Sequence, residues 1–228
     1  MNGVMISVVI PTLNAAPALA GCLTALVPAA VDGLVKEVII VDAGSTDATL
    51  AMADDAGATV LTAAPSRGGQ LAAGCAAARG DWLLCLHADT RLDAGWEAAA
   101  ARHIGRGHDL AGYFRFTLDD HGALPRLWEA GVAARAGLLG LPYGDQGLLI
   151  SRRLYDRLGG FKPMPLFEDV DLARRIGNRA LRPLPARAVT SAEKFRRDGY
   201  LARSLRNWSL LGRYLTGTPP EALAARYG

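Results

Sequence analysis

Residues 5–14, MISVVIPTLN, decide the fold. Residues 5–10 are an apolar run, interrupted only by Ser7 and rich in β-branched side chains, that ends at Pro11. Two similar runs, residues 38–41 (VIIV) and 82–86 (WLLCL), are each followed at once by polar residues. Short apolar runs without polar alternation are typical of parallel strands that are covered on both faces of a sheet.

Helical segments separate these runs. Residues 16–26, 46–56 and 70–79 have helical patterns, and residues 59–61 are a shorter candidate strand. Further along the chain, we expect strands at 111–118 and 147–150 and helices at 124–136, 167–176 and 199–215. The alternation predicts an α/β fold with a mostly parallel central sheet flanked by helices, followed by a C-terminal helical segment.

The composition suits a single domain. Half of the 228 residues are hydrophobic, and the net charge of +3 is too small to indicate nucleic acid as a partner. The three cysteines, Cys22, Cys75 and Cys85, lack the spacing of a zinc site or a disulfide framework, and burial is the favoured interpretation for the last two. The first residues predict a strand and not a signal peptide, and the chain has no apolar run that is long enough to span a membrane. We therefore expect a cytoplasmic location.

Polar segments follow each of the three apolar runs. They are residues 11–14 (PTLN), 42–45 (DAGS) and 87–89 (HAD). Ligands bind beyond the carboxyl ends of the strands in sheets of this kind, so we expect the three segments to meet at one edge.

Asp89 is the candidate metal ligand in the third segment. A carboxylate at a strand end can hold Mg²⁺ or Mn²⁺ on a diphosphate, because phosphate oxygens and water complete the coordination shell. His87 is either a second ligand or a contact to the bound molecule. The alternative is that Asp89 caps a helix that begins near Leu92.

Candidate contacts to a nucleotide lie in the other segments. Asp42 can accept a hydrogen bond from a base N–H or a ribose hydroxyl, and Thr12 and Asn14 can also reach a nucleotide, although Asn14 equally suits a turn. Arg67 precedes two glycines and a helix, an arrangement that suits an anion. An exposed surface arginine is the alternative.

Glu168 and Asp169 open a helix in the stretch LFEDVDLARRI. The helix dipole alone favours acidic residues there, and the functional alternative is a general base that deprotonates an acceptor hydroxyl. Asp145 and Gln146, in YGDQG, suit either an acceptor site or a tight turn.

Arg196 and Arg197 can neutralise a departing diphosphate. A pair of arginines more often lies on a solvated face, and that alternative stays open.

Taken together, the motifs resemble those of the family-two inverting glycosyltransferases of GT-A fold. The matching segments, in the family's order, are residues 11–14, residues 41–47, His87-Ala88-Asp89 and Glu168-Asp169. The stretches SRGGQLAAG, LLCLHADTRL, YGDQGLLISR, FEDVDLARRI and RSLRNWSLL further resemble a bacterial subgroup of arsenosugar-biosynthesis and radical-SAM/selenodomain-associated glycosyltransferases.

The resemblance implies one Rossmann-like GT-A domain over residues 1–228. Its nucleotide-sugar-binding half would be residues 1–91, its acceptor half residues 92–197, and its C-terminal helices residues 198–228. The implied reaction is transfer of a sugar from a nucleoside-diphosphate donor to a small-molecule or lipid-linked acceptor, with Mg²⁺ or Mn²⁺ as cofactor.

The resemblance also implies roles for individual residues. Asp89 would coordinate the metal, and Asp169 would be the catalytic base with Glu168 beside it. Asp145 and Gln146 would lie near the acceptor. The predicted donor contacts are Pro11, Thr12, Asn14, Asp42, Arg67, His87, Arg196 and Arg197.

Two departures from the family pattern stand out. His87 replaces the first carboxylate of the usual Asp-x-Asp triplet, which commonly contacts the ribose, so we expect it to affect donor affinity more than metal binding. The arginine motif lacks its tryptophan, and residues 195–198 (FRRD) stand in its place.

Other nucleotide-binding classes lack their motifs in this sequence. The first predicted strand is followed by neither the glycine-rich loop of nucleotidyltransferases nor a GxGxxG segment, and no P-loop is present.

A non-enzymatic alternative rests on the last helix. A stripe of apolar residues lies on one helical face, with arginines roughly opposite. The stripe consists of Leu201, Leu205, Trp208, Leu211 and Leu215, and the arginines are Arg203, Arg206 and Arg213. Such a helix can lie on anionic lipid at the inner membrane face, or it can pack on the core or across a homodimer. We favour packing.

Overall fold

A computed structural model describes residues 5–120, 122–193 and 199–225 of the chain. Its strands are β1 (Ile6–Thr12), β2 (Val35–Asp42), β3 (Thr59–Thr62), β4 (Trp82–Cys85), β5 (Thr90–Leu92), β6 (Ala111–Leu118), β7 (Leu148–Ser151) and β8 (Leu181–Thr190). They form one eight-stranded sheet in the order β3-β2-β1-β4-β7-β6-β8-β5.

Helices cover the sheet on both faces. They are α1 (Ala16–Thr24), α2 (Val27–Val31), α3 (Thr49–Asp55), α4 (Arg67–Ala77), α5 (Trp96–Ile104), α6 (Ala123–Leu139), α7 (Arg152–Arg157), α8 (Glu168–Ile176), α9 (Tyr200–Leu215) and α10 (Pro220–Ala224). A 3₁₀ turn, Gly144–Gln146, precedes β7.

The sheet is mostly parallel, which confirms the predicted fold class. β1 pairs in parallel with β2 and β4, and β2 pairs in parallel with β3. β6 and β8 are also parallel to each other, whereas β7 and β5 run antiparallel to their partners. The carboxyl ends of β1, β2 and β4 therefore lie at one edge of the sheet.

The alternation of side chains along β1 explains the apolar run. Ile6, Val8 and Ile10 enter the core cluster on one face of the sheet, and Val9 enters the cluster on the other face. Both faces are covered, so both sets of side chains are apolar except Ser7, whose buried hydroxyl donates to Glu37.

Cys75 and Cys85 are buried, as predicted, and their Sγ atoms lie 3.7 Å apart as free thiols.

The region after Asp89 differs from the alternative sequence interpretation. Residues 90–92 form β5, and the next helix, α5, begins at Trp96 with Gly95 at its N-cap. Asp89 is therefore not a helix cap, and that interpretation was wrong.

β8 was not predicted, although it is the longest strand of the described chain. Pro183 and Pro185 lie inside it and remove two backbone donors, which hides the strand in the sequence pattern. The pairing of β6 with β8 accommodates them through a register shift between Tyr113 and Arg115.

The packing predicted for the last helix is only partly correct. α9 contacts the protein through Leu210 and Leu211, which join a small core with Phe167. Much of the predicted stripe faces outward instead, with Leu205 72% exposed and Trp208 49% exposed. None of the helices in the described ranges is long and apolar enough to cross a membrane.

Candidate active site

The ends of β1 and β2 are locked together through Asp42. The register pairs Thr12 with Asp42, and the Thr12 hydroxyl donates a 2.8 Å hydrogen bond to Oδ1 of Asp42. The Ser45 hydroxyl donates to the same oxygen, and the backbone N–H groups of Gly44 and Ser45 donate to Oδ2. Although burial opposes ionisation, these hydrogen bonds hold the pKa of Asp42 below its ordinary value.

The hydrogen bonds of Asp42 stabilise the turn that follows β2. Its side chain is buried and already accepts four hydrogen bonds, about the capacity of a carboxylate. A nucleobase would have to displace one of them, so the predicted base contact remains a prediction. The neighbouring residue, Ala43, is the one that faces the cleft.

Asn14 connects the same two strand ends. Its backbone has φ of +48°, which asparagine tolerates better than most residues. Its side-chain oxygen accepts a 2.8 Å hydrogen bond from the backbone N–H of Thr46, and its own N–H donates to the Ser45 hydroxyl. The turn interpretation of Asn14 is therefore correct, and the residue also lines the cleft.

Gln70 stabilises the ends of β1 and β2 through its side chain, a role that the sequence did not predict. Its side-chain nitrogen donates to the carbonyls of Thr12, at 2.9 Å, and Val41, at 2.7 Å. α4 begins at Arg67, earlier than predicted, and its N-cap residue Ser66 accepts a hydrogen bond from Gly69. The early start places Arg67 in the first helical turn, facing the strand ends.

These elements border an open cleft of about 510 Å³, which we call the donor cleft after the predicted donor contacts that line it. It brings together most of the predicted donor and metal residues, namely Pro11, Thr12, Asn14, Arg67, His87 and Asp89. Arg196 and Arg197 lie outside the described residues.

A second hollow of about 150 Å³ adjoins the donor cleft, and we call it the acceptor chamber after Asp145, a predicted acceptor contact that lines it. The two share Arg67, His87, Asp89 and Ser191, so Asp89 lies at their junction. The chamber is further lined by Tyr143, Gly144, Asp145, Leu166, Phe167, Asp169, Thr190, Asn207 and Leu210.

The metal prediction can be tested against the residues at this junction. The described residues contain no group of three or more His, Cys, Asp or Glu side chains that could hold a metal by themselves. Asp89 nevertheless fits a metal that takes one protein carboxylate and completes its shell with phosphate oxygens and water, which is common for Mg²⁺.

Asp169 is held in place at the chamber wall. Its carboxylate accepts hydrogen bonds of 2.7 Å from the backbone N–H groups of Gly144 and Val170. Phe167, two residues before Asp169, has φ of +65°, an uncommon conformation for a residue with a bulky side chain. Its ring stacks on Tyr214. Strained backbone of this kind often marks a functional site.

Glu168 lies behind Asp169 and does not face the chamber. Its side chain is fully buried and lies 3.6 Å from the Arg67 guanidinium. Burial and the neighbouring Asp169 carboxylate raise the pKa of Glu168 to about 8, against the effect of Arg67. Burial therefore favours the protonated form of Glu168, whereas Asp169 is the side chain of the pair that lines the chamber.

Asp145 projects into the chamber from the 3₁₀ turn. Burial raises the pKa of Asp145 to about 6, with Arg135 opposing the rise and the carboxylates of Asp169 and Asp89 adding to it. Oδ1 of Asp145 is shielded from solvent and has no hydrogen-bond partner within the described chain.

Gln146, the other predicted acceptor residue, belongs to the frame of the site. It is 1% exposed, donates to the Phe114 carbonyl, and accepts hydrogen bonds from Arg135 and the backbone of Tyr143. The chamber wall does not include it, because its side chain turns toward β6 and α6.

Asn207 was also missed by the sequence analysis. It lies on α9, among residues whose apolar stripe dominates the sequence pattern, and its side chain reaches the acceptor chamber. No local motif distinguishes such an asparagine from an ordinary surface residue.

The mostly parallel α/β sheet, with an open cleft at its strand ends and Asp89 where the cleft meets the chamber, has the fold of GT-A glycosyltransferases. Residues 7–137 match the profile of Glycosyl transferase family 2, and the chain belongs to that family. None of the curated proteins matches the chain.

Structures of glucosyl-3-phosphoglycerate synthase from Mycobacterium tuberculosis are similar to this chain. Its complex with Mn²⁺, uridine diphosphate and phosphoglyceric acid has a TM-score of 0.60 at 25% identity, covering 82% of this chain and 70% of that chain. Its complex with Mg²⁺ and uridine diphosphate has a TM-score of 0.59 at the same identity and coverage. Its complex with Mn²⁺, uridine diphosphate and glucosyl-3-phosphoglycerate has a TM-score of 0.57 at 25% identity, covering 82% and 71%.

Proposed function

We propose that the protein transfers a sugar from a nucleoside-diphosphate donor to an acceptor hydroxyl, with inversion at the anomeric carbon and with Mg²⁺ or Mn²⁺ as cofactor. The observation that carries the proposal is the position of Asp89 at the junction of the donor cleft and the acceptor chamber, whose wall also contains Asp169. The binding of Mn²⁺ or Mg²⁺ and uridine diphosphate by the similar synthase supports the donor class.

The donor nucleotide lies in the donor cleft, against the segment that contains Pro11, Thr12 and Asn14. Asp89 is the protein ligand of the metal, which when bound neutralises charge on the departing diphosphate. Arg67 adds a guanidinium at the same junction and stabilises the leaving group. Asp42 acts through the shape of the turn, because its hydrogen bonds fix residues 44–45.

Asp169 is the general base of the proposed reaction. Hydrogen bonds from Gly144 and Val170 keep the carboxylate oriented toward the chamber. It removes the proton of the acceptor hydroxyl as that oxygen attacks the anomeric carbon from the face opposite the diphosphate. Glu168 is a positioning residue, since it supports Asp169 and Arg67 from the protein interior.

The acceptor belongs to arsenosugar or related small-glycoside biosynthesis in this proposal. Support comes from the resemblance of five stretches of the sequence to the bacterial arsenosugar-associated subgroup.

A panel of nucleoside-diphosphate sugars tests the proposal. We expect release of the nucleoside diphosphate from at least one donor in the presence of Mg²⁺ or Mn²⁺, and its loss on chelation. The anomeric configuration of the product, measured by NMR, should be opposite to that of the donor. Retention of configuration contradicts the single displacement, and the absence of metal-dependent turnover with every donor contradicts the proposal as a whole.

We further propose that α9 docks on an anionic membrane surface. Leu205, Trp208 and Leu215 form an exposed apolar stripe, and α9 contains no acidic residue. Arg206 and Arg213 provide the positive charge that anionic lipid headgroups attract. Docking of this kind would bring the enzyme to the inner membrane face.

A further inference from the structure

Three oxygen atoms in the acceptor chamber are not used by the protein. They are Oδ1 of Asp145, Oδ1 of Asn207 and Oγ1 of Thr190, and each is shielded from solvent without a hydrogen-bond partner in the described chain. All three residues line the same chamber, although they come from the 3₁₀ turn, α9 and the end of β8. Buried polar atoms are nearly always hydrogen-bonded in folded proteins, so three exceptions in one chamber indicate a ligand.

Hydroxyl groups of a ligand are the best hydrogen-bond partners for these three oxygen atoms. A carboxylate oxygen needs a donor, and a hydroxyl supplies one. The asparagine amide and the threonine hydroxyl can each pair with a hydroxyl in either direction, because a hydroxyl both donates and accepts. The chamber therefore offers partners for hydroxyls other than the one that reacts.

The charge of the chamber disfavours an anionic acceptor. Apart from Asp89, which holds the metal in the proposed function, its described lining includes the carboxylates of Asp145 and Asp169 and the guanidinium of Arg67. Arg67 lies 3.6 Å from the buried Glu168. A phosphate or carboxylate on the acceptor would approach Asp145 and Asp169, and like charges in a partly buried site repel strongly.

The size of the chamber limits the part of the acceptor that it can enclose. Its volume of about 150 Å³ equals that of a cavity which accommodates benzene. Leu166, Phe167 and Leu210 form apolar walls that suit the carbon face of a ring or of a short polyol.

We propose that the chamber selects a small neutral polyol or sugar as the acceptor, with Asp145, Asn207 and Thr190 bonding its non-reacting hydroxyls. This inference rests on the proposed function, because Asp169 takes the proton of the reacting hydroxyl and the donor cleft supplies the sugar. The new bond joins that hydroxyl oxygen to the anomeric carbon, and the bond from this carbon to the diphosphate breaks with its electron pair leaving on the phosphate oxygen.

Matched acceptor pairs test the selection. Glycerol is compared with glycerol 3-phosphate, and glucose with glucose 6-phosphate, using the donor that the enzyme turns over. We expect kcat/KM to be at least tenfold higher for the neutral member of a pair that is used. Equal or faster transfer to the phosphorylated members overturns the inference, even when metal-dependent donor turnover supports the proposed function.

Variants test the residue assignment. Asn207→Ala should raise the KM for the neutral acceptor about tenfold, which is the loss expected for one hydrogen bond, while kcat changes less. Asn178→Ala, at an exposed position outside the chamber, is the matched control and should leave both constants unchanged. An unchanged KM in Asn207→Ala overturns the role of Asn207.

A binding measurement keeps the inference testable if no donor is turned over. Saturation-transfer NMR on the whole protein with Mg²⁺ and uridine diphosphate compares the same four compounds. Stronger signals from glycerol or glucose than from their phosphates support the inference. Stronger signals from the phosphates overturn it, independently of the fate of the proposed function.

Discussion

Glu168 and Asp169 are neighbours in the sequence but occupy different environments. Glu168 is fully buried behind the chamber, and its pKa is raised to about 8 by burial and by the Asp169 carboxylate. Asp169 faces the chamber and is oriented by two backbone N–H groups. The fold therefore favours the protonated form of Glu168 and directs the Asp169 side chain into the chamber.

Asp169→Asn tests the role of the base. Asparagine keeps the size of the side chain and an oxygen for the Gly144 hydrogen bond, but it cannot take up a proton. We expect kcat to fall about 10²–10⁴-fold, the usual contribution of a general base, with an unchanged circular dichroism spectrum. Asp54→Asn, at an exposed position on α3, should keep full activity. Near-normal activity of Asp169→Asn would assign the base elsewhere.

Glu168→Gln tests the raised pKa through stability. Between about pH 5 and pH 8 the folded wild type keeps a proton on Glu168 that the unfolded chain releases, so this group lowers the unfolding free energy as the pH rises. Glutamine removes that dependence and should gain stability relative to the wild type from pH 5.5 to pH 8.5 in urea unfolding. Glu221→Gln, at an exposed position on α10, serves as the control. A pH-independent difference for Glu168→Gln contradicts the raised pKa.

Sequence reasoning predicted which residues meet at the strand ends but not their environments. The strand-end positions of Thr12 and Asp89 follow from apolar runs, which report burial directly. The four hydrogen bonds of Asp42 and the inward direction of Gln146 depend on tertiary contacts, which leave no periodic signal. The position of Asn207 in the chamber wall could not be predicted for the same reason.

The 3₁₀ turn, Gly144–Gln146, lies in the wall of the acceptor chamber and contacts side chains from other elements of the site. The backbone N–H of Gly144 donates a hydrogen bond to the Asp169 carboxylate, and the side chain of His87 packs directly against this glycine. A Cβ at position 144 would overlap the His87 imidazole. The turn thus fixes His87 and Asp145 relative to Asp169.

Gly144→Ala tests this packing. We expect a loss of about 1–3 kcal/mol in the free energy of unfolding, which is typical of overpacking, together with reduced activity because His87 or the turn must shift. Gly131→Ala is the matched control, because a Cβ there meets open space on α6 and alanine favours a helix. Urea unfolding and donor turnover of both variants check the prediction. Wild-type stability and activity of Gly144→Ala would contradict the described contact.

At this scale the order of β1 to β4 and their helices was predictable, whereas several boundaries were not. Apolar runs mark β1, β2 and β4, because these strands are buried on both faces. β8 was not predicted because Pro183 and Pro185 interrupt its strand pattern. β5 was not predicted because it is only three residues long. Tertiary pairing, not local propensity, makes both segments strands.

At the scale of the whole molecule, α9 combines an exposed apolar stripe with Asn207 and Leu210, which line the acceptor chamber. Liposome co-sedimentation at two salt concentrations tests its proposed docking. We expect the wild type to sediment with vesicles that contain anionic lipid and to dissociate as the salt concentration rises, because charge attraction adds to apolar insertion.

The double variant Leu205→Ser/Trp208→Ser should remain in the supernatant. Val31→Ser, which alters another highly exposed apolar residue, is the control and should sediment like the wild type. Equal sedimentation of the double variant, or a stable dimer that buries the stripe, contradicts membrane docking.

The dependence of donor turnover on Asp89 tests the central claim most directly. Release of the nucleoside diphosphate is measured against Mn²⁺ concentration for the wild type, for Asp89→Ala, and for Asp55→Ala at an exposed position beyond the cleft. We predict saturable, metal-dependent release for the wild type and Asp55→Ala, and loss of nearly all release in a folded Asp89→Ala protein. Wild-type turnover and an unchanged Mn²⁺ dependence in Asp89→Ala would contradict the account.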